Sequence, residues 1–364
     1  MVGVAAALAA ALAALPADAP IWVEDESRQI GRLTIPPALF AQLQAAPRYV
    51  LEVPRAARVA KLAAEYGAES PLLLAEAIER LQKRLGGLAT KQALAAVAAA
   101  DGRVQLFRRA RNTGFCGGHN YALDHSTSEA VLLVNPDVEL APDYLRCAMA
   151  ALAVDASIGS VCGLLLQSRG AHPRIDSAGL VRQSGGRYGL RHHGRPLAGL
   201  TLTTEDVDGA DGALPLYRRA FIDDLRVEGH FFDERFFAHK EDWDVAWRGQ
   251  LYGWRTVFEP QCRALHPRVF RPADLRSRLR LSAAIKADAV KNQWLLLLKN
   301  PPAGQLAGQW LRALPRQLGI LLYCLLLERP SLRAYRYVWR HRAGIWASRR
   351  LIQRRAARPR VLAG

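Results

Sequence analysis

An α/β sheet with helical crossovers is the fold class that this 364-residue sequence predicts, and three observations predict it. Residues 103–300 alternate short apolar runs ("AVLLVNPDVEL", "IGSVCGLLL", "RTVFEP") with helical stretches and glycine-rich loops. The run at residues 131–134 stops abruptly at Asn135-Pro136-Asp137, as a buried strand does on reaching a loop. From about Lys240, Trp243, Trp247 and Leu251 recur every fourth residue, the spacing of one buried helical face, and Gly253 stands where such a helix stops.

The flanks differ in character. Residues 1–102 are alanine-rich with helical periodicity, broken by the strand candidate "PIWVEDES" and by "RLTIPPALF". The opening "MVGVAAALAAALAALPADAP" has no cationic n-region, so it reads as an amphipathic or buried helix, not a signal peptide. Residues 301–364 read as basic amphipathic helices: they hold thirteen arginines, no lysine and one acid, Glu328, and so supply +12 of the net charge of +17. The remainder is close to neutral, which argues against a nucleic-acid footprint over the whole chain. Five scattered cysteines without a C-x-x-C pair imply neither a disulfide framework nor a zinc site and fit a reducing cytoplasm. No stretch reaches the roughly 18–20 uncharged apolar residues of a membrane span. "LGILLYCLLL" is about half that length.

Three pieces of the middle segment point to chemistry. Beyond the carboxyl end of a strand, Asp137 stands where open α/β sheets bind ligands, and a carboxylate there suits a hard divalent cation shared with a diphosphate. N-P-D is equally good turn chemistry, and that reading stays open. In "RNTGFCGGHNYAL", Gly114, Gly117 and Gly118 precede a helix expected from about Asn120, a loop that lets backbone amides approach an anion. In "KEDWD", Glu241, Asp242 and Asp244 fall in the first turn of a helix, where carboxylates favour the positive end of its dipole. Asp244 and Arg248 read as an i,i+4 ion pair.

The order and spacing of "RNTGFCGGHNYAL", "VLLVNPDVELAPDYL", "IDSAG", "VDGADGALPLYRRA", "FDERFFAHKEDWDVAWRGQLYGWRTVFEP" and "ALHP" resembles the family 2 glycosyltransferases, and within them the rhamnosyltransferase-type branch. The resemblance covers about residues 104–300 and implies a GT-A-type, Rossmann-like domain with a nucleotide-sugar donor (dTDP-rhamnose or a UDP-sugar) and a lipid-linked or polysaccharide acceptor. It further implies that Asp137 holds Mg²⁺ or Mn²⁺, with His266 near the metal, and that Asp242 of the Glu241-Asp242 pair is the general base of an inverting transfer. Asn112, Gly114, Phe115, Gly118, Asn120 and Asn135 would belong to the donor- and acceptor-binding site. Gly209 and Ala210 would line the donor-sugar and acceptor pocket, and Trp254 of the G-W pair would shape the acceptor side.

Two strand–helix units that hold the donor's base and ribose in this family have no counterpart ahead of "RNTGF", so the domain is expected to be incomplete and its sheet to present an open edge. Residues 5–100 resemble instead the later part of the nucleotide-binding domain of bacterial tRNA 2-selenouridine synthases, most specifically in "WVEDESRQIG", an α/β fragment of P-loop-domain type. Glu24 and Asp25 would end a strand there, yet no G-x-x-x-x-G-K-[ST] occurs. Three readings compete: a metal-dependent glycosyltransferase held at the cytoplasmic face of the plasma membrane by its arginine tail on an anionic surface, a tRNA 2-selenouridine synthase-related fragment, and a catalytically inactive fusion. The leucine-rich runs between the arginines favour membrane over RNA for the tail.

Overall fold

The computed structural model describes residues 107, 109–170, 172–267 and 281–358, and only short pieces before Phe107. The chain divides into two compact units, Met1–Leu106 and Phe107–Gly364. In the first, the described pieces include β1 (Gln29–Ile30) paired antiparallel with β2 (Leu33–Thr34), and α1 (Pro71–Arg80). The strand expected at Glu24 and Asp25 lies outside the described residues.

The second unit begins with α2 (Gly114–Asp124). There follow β3 (Ala130–Leu132), β4 (Glu139–Leu140), α3 (Tyr144–Ala153) and β5 (Ile158–Leu166). Then come β6 (Ile175–Ser177), the hairpin β7 (Leu180–Gln183) and β8 (Arg187–Leu190), β9 (Glu205–Val207), β10 (Leu216–Arg218) and α4 (Arg219–Asp224). The acid-rich helix is α5 (Glu241–Leu251), followed by β11 (Arg255–Leu265). Among the described residues four helices follow: α6 (Ala283–Lys299), α7 (Leu306–Leu326), α8 (Arg333–Arg340) and α9 (Arg342–Ala356).

Seven strands form one mixed sheet ordered β3-β10-β5-β11-β4, with β6 added on β5 and β9 on β11. β5 and β11 run parallel, and β10 runs antiparallel to both β3 and β5, so β3, β5 and β11 share one direction. β5 reads "IGSVCGLLL" and is buried at eight of its nine positions, as a central strand packed on both faces is. On one side Tyr144, Ala148 and Leu152 of α3 pack against Ile158, Val161 and Leu165. On the other, Cys162 and Leu164 pack with Ile175, Ala178, Ala210 and Phe258, while Trp247 of α5 and Leu295 and Leu296 of α6 join Tyr217 and Phe221 in the largest apolar cluster. The α/β expectation is met. Among the described residues β3 pairs with β10 alone, which leaves the expected open edge.

Two local expectations shift. α2 starts at Gly114 rather than near Asn120, because a tertiary bond recruits the glycines: the Cys116 amide donates to the Phe237 carbonyl at 3.1 Å. A Cβ at Gly114 (φ +72°) would stand 2.4 Å from that same carbonyl. The arginine-rich segment does form helices, and α8 and α9 pack against α6. No helix among the described residues is long and apolar enough to cross a membrane.

Candidate active site

The carboxyl ends of β3, β5 and β11 lie on one edge of the sheet, and the acidic residues gather there. After β3 the Leu133 amide donates to Pro215 and the Asn135 amide donates to the Ala213 carbonyl at 2.9 Å, so the N-P-D loop runs beside residues 211–215. Pro136 has no amide to continue this ladder, and Asp137 is left exposed. Next to the end of β5, the His266 amide donates to the Leu166 carbonyl at 2.8 Å. Its buried ring reaches across: Nε2 lies 3.5 Å from Asp137 Oδ2, while Nδ1 donates to Asp176 Oδ2 at 2.8 Å. Asp176 is fully buried. Its grip on Nδ1 orients the ring so that Nε2 lies on the Asp137 side.

The helix mouth meets the same loop. Gly212 donates its amide to Asp242 Oδ2 at 3.3 Å, and a Cβ on that glycine would already touch Asp242 Cβ at 3.4 Å. Glu241 is buried beside it, and its Oε2 has no hydrogen-bond partner. Burial first, and then the charges of Asp242, Asp211 and Asp244, push the Glu241 carboxyl up to about 8 against one backbone hydrogen bond that lowers it. The folded state therefore holds this proton more tightly than the unfolded chain, whose glutamate titrates near ~4.3. Its cost to stability grows as pH rises through that window and is complete above about 8. Glu241→Gln should raise the melting temperature, and by more near pH ~9 than near pH ~5. Thermal unfolding at the two pH values measures this, and an equal shift at both would contradict it.

The chain enters α5 through a strained segment. Phe237, His239 and Lys240 all have φ between 63° and 70°, a left-handed conformation that side chains disfavour. α6 holds it in place. Asn292 Nδ2 lies 3.1, 2.8 and 2.7 Å from the carbonyls of Phe236, Ala238 and His239, and Lys240 Nζ donates to Ala289 O and Gln293 Oε1. Deeper in α5, Asp244 and Arg248 form the expected ion pair at 2.9 Å, with both side chains 1% exposed.

The structure thus brings Asn135, Asp137, His266, Glu241 and Asp242 to one edge and adds Asp176, Asp211, Gly212 and Asn292, which the motifs did not single out. The other candidates are placed differently. Asn120 is buried and locks both of its amide atoms onto the Phe232 backbone at 2.8 and 2.9 Å. Phe115 packs its ring on His119 and Phe232. Asn112 caps the Gly114 amide at 2.9 Å, and Gly118 faces open space. Gly209 is buried behind the edge, where a Cβ would sit 2.3 Å from that of Ala246, and Ala210 lies in the apolar cluster with Cys162 and Phe258. Trp254 precedes β11 and so stands at the opposite end of that strand from His266, donating its ring N–H to Asp224 at 2.8 Å.

Residues 88–222 match the family model described as Glycosyl transferase family 2, and residues 5–73 match the one described as tRNA 2-selenouridine synthase AAA domain. Residues 88–222 are a glycosyltransferase domain of family 2, and a selenouridine-synthase-type segment precedes it; at the level of these two families the resemblances seen in the motifs are borne out. Asp137, Gly209 and Ala210 fall inside the glycosyltransferase match, whereas Glu241, Asp242, Trp254 and His266 follow it. Among curated relatives, the tRNA 2-selenouridine synthase of Marinobacter nauticus is 36% identical over 88 residues, which is 20% of this chain and 24% of that protein. The chain therefore spans about a quarter of that relative's length. Among solved structures, GalNAc-T7 with UDP, GalNAc and Mn²⁺ has a TM-score of 0.40 at 14% identity, covering 56% of this chain and 37% of that one. The mannosyltransferase PcManGT of Pyrobaculum calidifontis, in complex with GDP-Man and Mn²⁺, has a TM-score of 0.37 at 14% identity and covers 75% and 74%. Both likenesses are loose.

Proposed function

We propose that the chain is an inverting, divalent-metal-dependent glycosyltransferase that moves a deoxyhexose such as rhamnose from a nucleotide-sugar onto a lipid-linked glycan at the cytoplasmic membrane face. The observation that carries this reading is the meeting of Asp137 and His266 with the mouth of α5 at the carboxyl edge of the sheet. Asp242 takes the proton of the acceptor hydroxyl as its oxygen attacks the anomeric carbon. The amide of Gly212 on Oδ2 orients that carboxylate.

The Asp137 and His266 atoms are spaced for two positions of one cation, and among the described residues no cluster of three or more such side chains is arranged to hold one. The residues fit an ion that takes its remaining ligands from a diphosphate and water, the usual manner of Mg²⁺ and of ions like it. Such an ion, when bound, would neutralise the departing diphosphate. Asp176 keeps the imidazole turned toward it.

The donor's base and ribose need a platform that the sequence ahead of α2 does not supply in the family's usual form, so nucleotide affinity is the property to measure. Calorimetry with dTDP-rhamnose and with UDP-sugars, each with and without Mn²⁺, should show metal-dependent binding that Asp137→Ala reduces at least tenfold. Binding indifferent to both metal and Asp137 would overturn the reading. Absence of binding to every donor would favour the inactive fusion.

A further inference from the structure

α7 turns its apolar face outward. Its buried positions are Gln309, Ala313, Gln317 and Cys324, and Gln317 Oε1 has no hydrogen-bond partner there. Leu311, Leu314, Leu318, Leu322 and Leu325, by contrast, are between 44% and 74% exposed. Steps of three and four residues put these five leucines on one stripe, and at ~3.6 residues per turn the stripe lies opposite the buried positions. A helix covered only by its own fold buries its leucines and leaves glutamine in water. This one does the reverse, so the stripe calls for a cover that the described residues do not supply.

Charge decides what the cover is. Directly after the stripe the chain enters α8, where Arg333, Arg336 and Arg340, with Lys291 and His341, line a cavity of about 410 Å³ that holds a single acid, Asp288. Residues 301–364 as a whole carry thirteen arginines and one acid. A second copy would bring two such surfaces together and repel, whereas an anionic surface would be attracted to both features at once. α7 is not apolar enough to span a bilayer, which leaves it lying in the plane of one.

We infer that α7 docks in the interface of an anionic lipid bilayer, with the leucine stripe at the acyl boundary and Arg333, Arg336 and Arg340 receiving headgroup phosphates. The inference takes up the membrane side of the proposed function but rests on none of its catalytic residues.

The test uses the full chain and vesicles of phosphatidylcholine with or without phosphatidylglycerol, read by co-sedimentation. The wild type should partition onto anionic vesicles, more weakly onto neutral ones. Leu318→Glu/Leu322→Glu should lower that partitioning at least tenfold, and Arg336→Glu/Arg340→Glu should abolish the preference for anionic lipid. Because Leu318 and Leu322 are exposed, the leucine variant should melt at the wild-type temperature and keep its calorimetric donor binding, which separates failure of docking from failure of the donor site. Vesicle binding unchanged by the leucine substitutions would overturn the inference. So would a wild-type dimer, seen by light scattering, that the same substitutions dissolve, or tRNA binding that they abolish.

Discussion

Asp242→Asn is expected to slow sugar transfer by roughly 10²–10⁴-fold, the usual worth of a positioned general base, while donor affinity holds. Asparagine keeps the shape of the side chain and one oxygen able to accept from Gly212, so the contact between loop and helix mouth survives. What it removes is the capacity to carry a proton away from the acceptor. Asp137→Ala should act on a different quantity, since it weakens donor and metal binding before any chemistry. The pairing is informative because Glu241 stands next in line. Its carboxyl is raised partly by the charge of Asp242, so the asparagine variant should lower it. If transfer falls less than tenfold, with a pH optimum that moves, then Glu241 is the base and Asp242 its tuning partner. Product formation across pH, measured for both variants, separates the two.

How much of this site could be read from the chain depended on how far apart its members lie in sequence. Asn135-Pro136-Asp137 and Glu241-Asp242 were visible because each is a short motif at a strand or helix end, where local rules of turn and helix chemistry apply. Asp176 meets His266 across 90 residues and Asn292 meets the 236–239 carbonyls across 53 to 56; "IDSAG" marks the place of the first without showing its partner, and no local pattern marks the second. Glycine was the most misleading residue. In "RNTGFCGGHN" it reads as a loop, yet Phe237 draws Gly114 and Cys116 into the first turn of α2. Gly209, which the family resemblance puts in the pocket lining, also has a packing reason to lack a side chain in the close approach of Ala246. Tryptophan behaved similarly, for the G-W pair closes a helix and Trp254 then serves the core at Phe221. The amphipathicity of the tail was legible too, but not which side of α7 would face the fold. That is settled by the packing partners, and they chose the glutamines.

The largest effect on stability is expected at Asp244, a buried carboxylate of α5. Its Oδ1 receives Lys299 Nζ at 3.1 Å and Asn300 Nδ2 at 2.9 Å, and its Oδ2 receives Arg248. Lys299 also bonds Asp233 Oδ2 at 2.5 Å, so one lysine at the end of α6 ties α5 to the segment that precedes it. All of these charged side chains are at least nine-tenths buried. Asp244→Ala would leave Lys299 and Arg248 with less compensation out of water, at a cost of roughly 3–5 kcal/mol. Against a total of ~5–15 kcal/mol that is a large fraction, and urea unfolding at neutral pH should show it as an early midpoint. A loss under ~1 kcal/mol would mean that water or a neighbouring acid replaces the carboxylate. The pH dependence follows from the same contacts. Burial alone would raise both Asp233 and Asp244, but Lys299 beside each, with Arg235 for the first and Arg248 for the second, holds them below the usual carboxylate range. Carboxylates depressed on folding stabilise fully above their unfolded value near ~3.9 and lose that contribution as pH falls toward the folded one. Wild-type stability should therefore drop steeply below about pH 4, and the Asp244→Ala protein should drop less over the same interval. Because α6 also clamps the strained entry to α5 through Asn292, loss of this network should first be felt at Glu241 and Asp242, as a fall in transfer activity at temperatures below the melting transition.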